Sequence, residues 1–131
     1  MKNLFTYGTL MCEDIMIKVS GCHPSHAPAT LRGYQRRFVT GAPYPAVIPH
    51  REAAVNGLVY RNVPDSAWHR LDRFEGEMYE RHHVIVELSD RTTLPADVYV
   101  IHPAYVHCLD ERDWDVDDFI KNNKARFKGG F

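Results

Sequence analysis

The sequence predicts an α+β fold with a mostly antiparallel sheet that can close into a barrel. Three observations predict it: strand-like segments come first, one well-delimited helix lies in the middle of the chain, and more strands and a final helix follow. Strands and helices do not alternate regularly, which argues against a doubly wound sheet. The 131 residues, 44% of them hydrophobic and 25% charged, predict a single domain over residues 1–131.

The N-terminal part of the chain is predicted to hold a strand, a short helix and a second strand. The first strand covers 2–7 and ends at Gly8. Apolar residues at helical spacing predict a helix over 13–19. Two prolines favour a loop over 21–30, and an alternating pattern then favours a strand over 31–40.

Two separate strands are predicted between residues 46 and 63. The first is a short apolar strand at 46–48, which follows a backbone-restricted loop at 41–45. The second covers 55–63, and Gly57 within it indicates either a bulge or a close approach of another backbone.

A helix is predicted to begin after Pro64, with Asp65 or Ser66 as its N-cap. Gly76 is its natural C-terminal stop. One face of this helix is predicted to carry Trp68, Leu71 and Phe74 or Glu75.

The C-terminal part is predicted to add a strand pair and a last helix. The strands cover 79–88 and 96–101. The helix starts near 113–115, where acidic side chains suit a helix N-terminus. Its inward face is predicted to carry Val116, Phe119 and Ile120. Its basic end, which suits a helix C-terminus, is predicted to carry Lys121, Lys124, Arg126 and Lys128.

Composition excludes several function classes. A net charge of -1 and a pI of about 6.7 give no basic surface for nucleic acid. No stretch approaches the roughly 20 apolar residues of a membrane helix, and the N-terminus lacks a signal-peptide pattern, so we expect a cytoplasmic protein. Three cysteines without a CxxC pair predict reduced thiols. Neither the histidines nor the acidic run at 110–118 has the spacing of a zinc or calcium site, so we expect no metal.

The first candidate site is the turn after the first strand, Tyr7, Gly8, Thr9 and Leu10. Gly8 gives the backbone freedom and lets a ligand come close. Successive N–H groups in such a turn can bind a carboxylate or an oxyanion, and Thr9 adds a hydroxyl group. On pattern alone an ordinary strand end is the better explanation of the turn, because Y-G-T is a weak signal.

The second candidate site is Glu75, in the last turn of the predicted helix. The negative helix end, burial beside Trp68 and Leu71, and the like charge of Asp72 three residues earlier all act to raise its pKa. A carboxyl group tuned in this way can accept and return a proton near neutral pH. The alternative is a structural role, either solvated or paired with an arginine at 73 or 81.

These two segments together resemble the gamma-glutamylcyclotransferase-like family. Its members carry Y-G-T/S-L after the first strand and an L-D-x-F/x-E-G-x-x-Y-x-R block, which match 7–10 and 71–81 here. Weaker matches lie at 44–47, 55–60 and 96–100. The order of the matches fits the family, and the Y-G-T-L form resembles the branch that acts on γ-glutamylamines.

The resemblance implies a small β-barrel flanked by helices and an enzyme that converts a γ-glutamyl compound to 5-oxoproline. It implies Glu75 as the catalytic residue and the turn at 7–10 as the substrate-binding segment. No metal or organic cofactor is expected, and the partner is a small γ-glutamyl substrate. Two alternatives remain: a non-catalytic module that binds carboxylates, and a γ-glutamyl amide hydrolase.

Overall fold

A computed structural model of the chain describes residues 2–125. The strands of this part are β1 (Lys2–Thr6), β2 (His26–Phe38), β3 (Pro45–Val63), β4 (Tyr79–Leu88) and β5 (Thr93–Ile101). Its α-helices are α1 (Glu13–Ser20), α2 (Asp65–Glu75) and α3 (Val116–Asn122). Short 3-10 turns cover Thr9–Met11 and Pro103–Cys108.

The strands form a closed barrel in the order β1-β3-β2-β4-β5. Four of the neighbouring pairs are antiparallel, and β1 and β5 close the barrel as a parallel pair at Leu4 and Asp97. A closed barrel removes the exposed edges that an open sheet would leave unpaired. The predicted α+β fold, a mostly antiparallel barrel flanked by helices, is confirmed.

The prediction of two separate strands between 46 and 63 is wrong. β3 runs continuously from Pro45 to Val63 and pairs with β2 along both halves. Between the pairs Arg32–Ala54 and Tyr34–Pro49, residues 50–53 face the single residue Gly33, whose φ is +87°. Residues 49–52 are exposed, so the chain there carries no apolar pattern and the strand was not recognised.

Two other strand boundaries lie earlier than predicted. β2 begins at His26 rather than at 31, within the segment predicted to be a loop, and β5 begins at Thr93 rather than at 96. Pro28 fits into β2 because β4 pairs with β2 only at Ala29 and Thr30, so the proline lies beyond that contact.

Helix α2 ends as predicted but begins differently. Gly76 adopts a φ of +73°, and its N–H donates to the Asp72 carbonyl at 3.0 Å. The predicted N-caps are wrong: Pro64 occupies the cap position, and no side chain accepts a hydrogen bond there. No helix in the described part of the chain is long and apolar enough to cross a membrane.

Helix α3 begins where the acidic segment predicts. The Asp115 side chain caps it by accepting from the Asp118 N–H at 3.2 Å. Phe119 is buried as expected, but Ile120 is 48% exposed, because the next residue on a helix is turned by about 100°. The predicted basic residues Arg126 and Lys128 lie outside the described residues.

The core has two main parts on either side of the barrel wall. One fills the barrel interior with residues such as Phe5, Leu31 and Val98. The other lies between the barrel and the helices and includes Leu4 and Leu71. Since successive residues of a strand point to opposite faces, β1 contributes to both clusters, which fixes its position in the wall.

Gly57 of β3 lies against β1, and we expect Gly57→Ala to destabilise the fold. An added Cβ would lie 2.0 Å from the Thr6 carbonyl oxygen and 2.9 Å from Phe5 Cζ. Overpacking of this kind lowers the free energy of unfolding by about 1–3 kcal/mol, which urea denaturation measures. Glu52→Ala, at an exposed position of the same strand, is the control, and an equal loss in both variants would contradict this account.

Candidate active site

A cavity of about 290 Å³ opens between the end of β1, the start of β3 and the end of α2. It brings together the two segments that the sequence singled out. Tyr7, Gly8, Thr9 and Leu10 line one side, and Glu75 lines another. These five residues lie up to 68 positions apart in the chain, and closure of the barrel brings them to one place.

Gly8 is required by contact and not by an unusual φ. Its φ is −130°, so the positive φ that favours glycine is absent. A Cβ at this position would lie 2.9 Å from Cδ of Pro45, the first residue of β3. The absence of a side chain therefore lets the turn pack against β3 and bring its backbone to the cavity wall.

The turn after β1 begins a short 3-10 segment. The Met11 N–H donates to the Gly8 carbonyl at 2.9 Å, and the Cys12 N–H donates to the Thr9 carbonyl at 3.1 Å. The N–H groups of Thr9 and Leu10 have no acceptor within the turn, as is usual for the first residues of a helical turn. They are backbone donors at the wall of the cavity.

Two side chains fix this turn by donating hydrogen bonds to its carbonyl oxygens. The Tyr60 hydroxyl donates to the Leu10 carbonyl at 2.7 Å. Arg36 Nη1 donates to the Tyr7 carbonyl at 2.9 Å. Because these contacts occupy carbonyl oxygens, the orientation of the turn is set by the scaffold before any ligand binds.

Glu75 is the last residue of α2, and its carboxyl group lies among protein atoms although the residue keeps some exposure toward the cavity. Burial raises the pKa of Glu75 to about 8, and the Asp72 carboxylate adds to the rise. Both causes agree with the expectation from the sequence. The side chain therefore carries a proton for much of the time at neutral pH and can exchange it.

No hydrogen bond or ion pair joins the Glu75 carboxyl group to any residue between 2 and 125. The alternative of a structural ion pair with an arginine at 73 or 81 is therefore wrong. The Arg81 guanidinium lies 3.8 Å from Asp72 and 3.7 Å from Asp97 instead, and Arg73 is exposed. A buried carboxyl group without a partner is costly, and such groups are concentrated at functional sites.

Three tyrosine hydroxyls hold the walls of the cavity. Tyr7 donates to the Tyr99 carbonyl at 2.6 Å, Tyr79 donates to the Pro45 carbonyl at 2.8 Å, and Tyr99 donates to Asp72 Oδ1 at 2.7 Å. Burial raises the pKa of all three hydroxyls above the usual range, so they stay neutral. These side chains link β1, β3, β4, β5 and α2 around Glu75.

The structure also shows cavity residues that the sequence did not resolve. Aromatic residues on strands are more often core than pocket residues, and Tyr44, Tyr79 and Tyr99 both pack with the core and line the cavity. Phe74 and Met78 line it too, and their places directly before Glu75 and Tyr79 were the available signal. Arg81 is absent from the wall, since its guanidinium lies over the Trp68 ring at 4.6 Å.

The lining has a distinct chemical character. Apart from Glu75 it is made of aromatic, aliphatic and small polar residues, and it contains no cationic side chain. An anionic group of a ligand would therefore be held by backbone N–H groups at the turn and not by lysine or arginine. No three His, Cys, Asp or Glu side chains of the described segment lie close enough to hold a metal ion.

The chain is similar to plant proteins that are called AIG2-like. An "AIG2-like protein D" of Arabidopsis thaliana is 38% identical over 90 residues, which are 69% of this chain and 59% of that relative. The match therefore spans less than two thirds of the length of that relative.

Solved structures share the fold. A solution structure of an Arabidopsis thaliana protein has a TM-score of 0.73 at 28% identity, and it covers 96% of this chain and 76% of that one. A structure called gamma-glutamyl cyclotransferase has a TM-score of 0.66 at 18% identity over 79% and 73% of the two chains, which shows the fold alone. The family model "Gamma-glutamyl cyclotransferase, AIG2-like" matches residues 4–116. The chain belongs to the gamma-glutamyl cyclotransferase, AIG2-like family.

Proposed function

We propose that this protein cyclises a γ-glutamyl amine or γ-glutamyl amino acid to 5-oxoproline and releases the amine, with Glu75 as general acid and base. One observation carries the proposal: the Glu75 carboxyl group faces the cavity without a hydrogen-bond partner and has a pKa raised to about 8. Membership of the cyclotransferase family supports the same reaction class.

The reaction needs one group that accepts and returns a proton. The α-amino nitrogen of the substrate attacks the γ-carbonyl carbon, a new C–N bond closes the five-membered ring, and the bond to the leaving nitrogen breaks. Glu75 as carboxylate takes the proton from the attacking nitrogen and delivers it to the leaving one. Atoms balance without water, oxidant or covalent enzyme intermediate, because the nucleophile is already part of the substrate.

The turn at Tyr7–Leu10 supplies orientation. We assign its free backbone N–H groups to the α-carboxylate of the substrate or to the oxyanion that forms on the γ-carbonyl. A γ-glutamyl chain folded against the turn brings its α-nitrogen to the γ-carbonyl, and this proximity replaces a bimolecular encounter. Gly8 contributes by letting the turn approach Pro45 closely.

The walls exclude water from the reacting atoms. Tyr7, Tyr79 and Tyr99 are neutral hydroxyl groups engaged with protein acceptors, and Phe74 and Met78 add apolar surface. Low polarity around Glu75 keeps its proton affinity high enough for transfer near neutral pH. The proposed chemistry uses no cofactor, and we place it in the cytoplasm with a small molecule as the partner.

Glu75→Gln tests the proposal, because the amide cannot accept a proton but has nearly the same shape. We expect 5-oxoproline formation from a panel of γ-glutamylamines and γ-glutamyl amino acids, measured by mass spectrometry, to fall about 100- to 10,000-fold. Glu77→Gln is the matched control, since Glu77 is exposed and does not line the cavity.

The products distinguish the alternatives. Free glutamate in place of 5-oxoproline would point to the amide hydrolase. Binding of γ-glutamyl compounds without any product would point to the carboxylate-binding module. Substantial 5-oxoproline formation by Glu75→Gln would contradict the role of Glu75.

The pH dependence of kcat/KM is expected to report Glu75. Its carboxylate form is the base, so activity should rise with pH through a midpoint at about 8, the raised pKa of this group. Steady-state assays across the neutral and alkaline range measure it. A constant rate down to acidic pH would contradict the assignment.

The same carboxyl group should make stability depend on pH. Its pKa is raised in the folded protein from 4.5 to about 8, so the native state holds a proton that the unfolded chain has lost between these values. The wild type therefore loses stability as pH rises through this window, and Glu75→Gln lacks this loss.

Thermal unfolding at about pH 5 and about pH 9 compares the two proteins across that window. The Tm of Glu75→Gln is expected to fall less than that of the wild type. An equal fall in both proteins would show that Glu75 is ionised in the native state already at low pH.

A further inference from the structure

Asp72 lies one helical turn before Glu75 on α2 and is held by two other elements. Tyr99 of β5 donates its hydroxyl to Oδ1 at 2.7 Å. Arg81 of β4 places Nη2 3.8 Å from Oδ2. The carboxylate is thus fixed from both sides, although the residue is exposed and, by itself, free to turn into solvent.

Arg81 is itself fixed in place. Its guanidinium lies over the Trp68 ring at 4.6 Å, and its Nε is 3.7 Å from Oδ2 of Asp97, a side chain that is only 4% exposed. Nη1 of Arg81 is buried without a hydrogen-bond partner among the described residues. The aromatic ring and the buried carboxylate hold the Arg81 cation next to Asp72.

We propose that Asp72 is a positioning residue for Glu75, held beside it by Tyr99 and Arg81. The inference rests on the proposed function of Glu75. Asp72 does not line the cavity, so it acts through two residues that do, its helix neighbour Glu75 and its hydrogen-bond donor Tyr99. No comparison assigns it a role.

Among the described groups that face Glu75, the tyrosine hydroxyls are uncharged and Asp72 carries a charge. The turn after β1, β4 and β5 contribute the hydroxyls of Tyr7, Tyr79 and Tyr99, which burial keeps neutral by raising each pKa. Tyr44, before β3, adds another hydroxyl to the cavity wall.

The other charged groups near Glu75 act differently. Arg73 and Glu77, its charged neighbours in the chain, are exposed and absent from the wall. Arg81 affects Glu75 indirectly, because it helps to hold Asp72 in position. The Asp72 carboxylate therefore adds to the effect of burial, which is the larger cause of the raised pKa of Glu75.

Asp72→Asn tests the proposal, because it removes the charge and keeps the shape and a hydrogen-bond acceptor for Tyr99. We expect the midpoint of the rise in kcat/KM with pH to move down by about 0.5 to 1 pH unit. KM at the plateau should be unchanged, since Asp72 makes no contact with the cavity. Asp72→Glu, which restores the charge, should return the midpoint toward the wild-type value.

The control is Asp65→Asn, which removes the same charge from an exposed position at the start of α2. It should leave the midpoint where it is in the wild type. An equal shift in both asparagine variants, or none in Asp72→Asn, would overturn the proposal.

Tyr99→Phe tests the anchor. Without the 2.7 Å hydrogen bond the Asp72 carboxylate can turn toward solvent. Asp72→Asn should therefore shift the pKa of Glu75 less in the Tyr99→Phe background than in the wild-type background. The titration of residue 75 is followed by NMR of carboxyl-¹³C-labelled glutamate, with Glu75→Gln identifying its signal. Equal shifts in the two backgrounds would overturn the role of Tyr99.

The NMR titration also separates this inference from the proposed function. If the wild type makes no 5-oxoproline, the proposed function fails, and the shift of the residue 75 titration in Asp72→Asn still decides whether Asp72 acts on it. If the wild type is active and Asp72→Asn leaves both the midpoint and the titration unchanged, the inference alone fails.

Discussion

The burial of the Glu75 carboxyl group beside the cavity is the constraint on which the site depends. Helix α2 ends at this residue because Gly76 takes a positive φ, so the side chain lies where the helix meets the cavity. Burial there disfavours the charged form, and the protein offers the carboxyl group no hydrogen bond in compensation. By contrast, the buried hydroxyl groups of Tyr7, Tyr60 and Tyr99 each donate a hydrogen bond to a protein acceptor.

The barrel explains how distant segments meet at this carboxyl group. β1 is short, but it pairs with β3 on one side and β5 on the other, which fixes the turn that follows it. Close approach at Gly57 and Gly8 lets β1 and its turn pack against β3. Tyr60 of β3 and Arg36 of β2 then hold two carbonyl oxygens of the turn, whose residues line the cavity.

Much of this could be read from the sequence because local signals were strong. Gly76 as a helix stop, the helix before it and the raised proton affinity of Glu75 follow from short-range rules of capping and charge. The motifs at residues 7–10 and 71–81 together indicated a family, and the family implied a small barrel flanked by helices. The continuity of β3 was not predicted, because residues 49–52 are exposed and carry no apolar pattern.

Long-range side-chain contacts could not be predicted from the sequence, for a different reason. Tyr99 and Asp72 are 27 positions apart and meet only because β5 passes beside α2. Arg81 stacks on Trp68 and lies outside the cavity, although its place in the motif suggested a wall residue. Likewise Ile120 follows the buried Phe119 but faces solvent, since consecutive residues of a helix are turned by about 100° from each other.

The most direct test of this account is the titration of Glu75 itself in the unaltered protein, by ¹³C NMR of its carboxyl carbon. A midpoint at about 8 is the predicted result, since burial and the neighbouring carboxylate both favour the protonated form. A midpoint near 4.5, the ordinary value for glutamate, would mean that the carboxyl group is well hydrated and ionised, and the account of a buried acid–base residue would be contradicted.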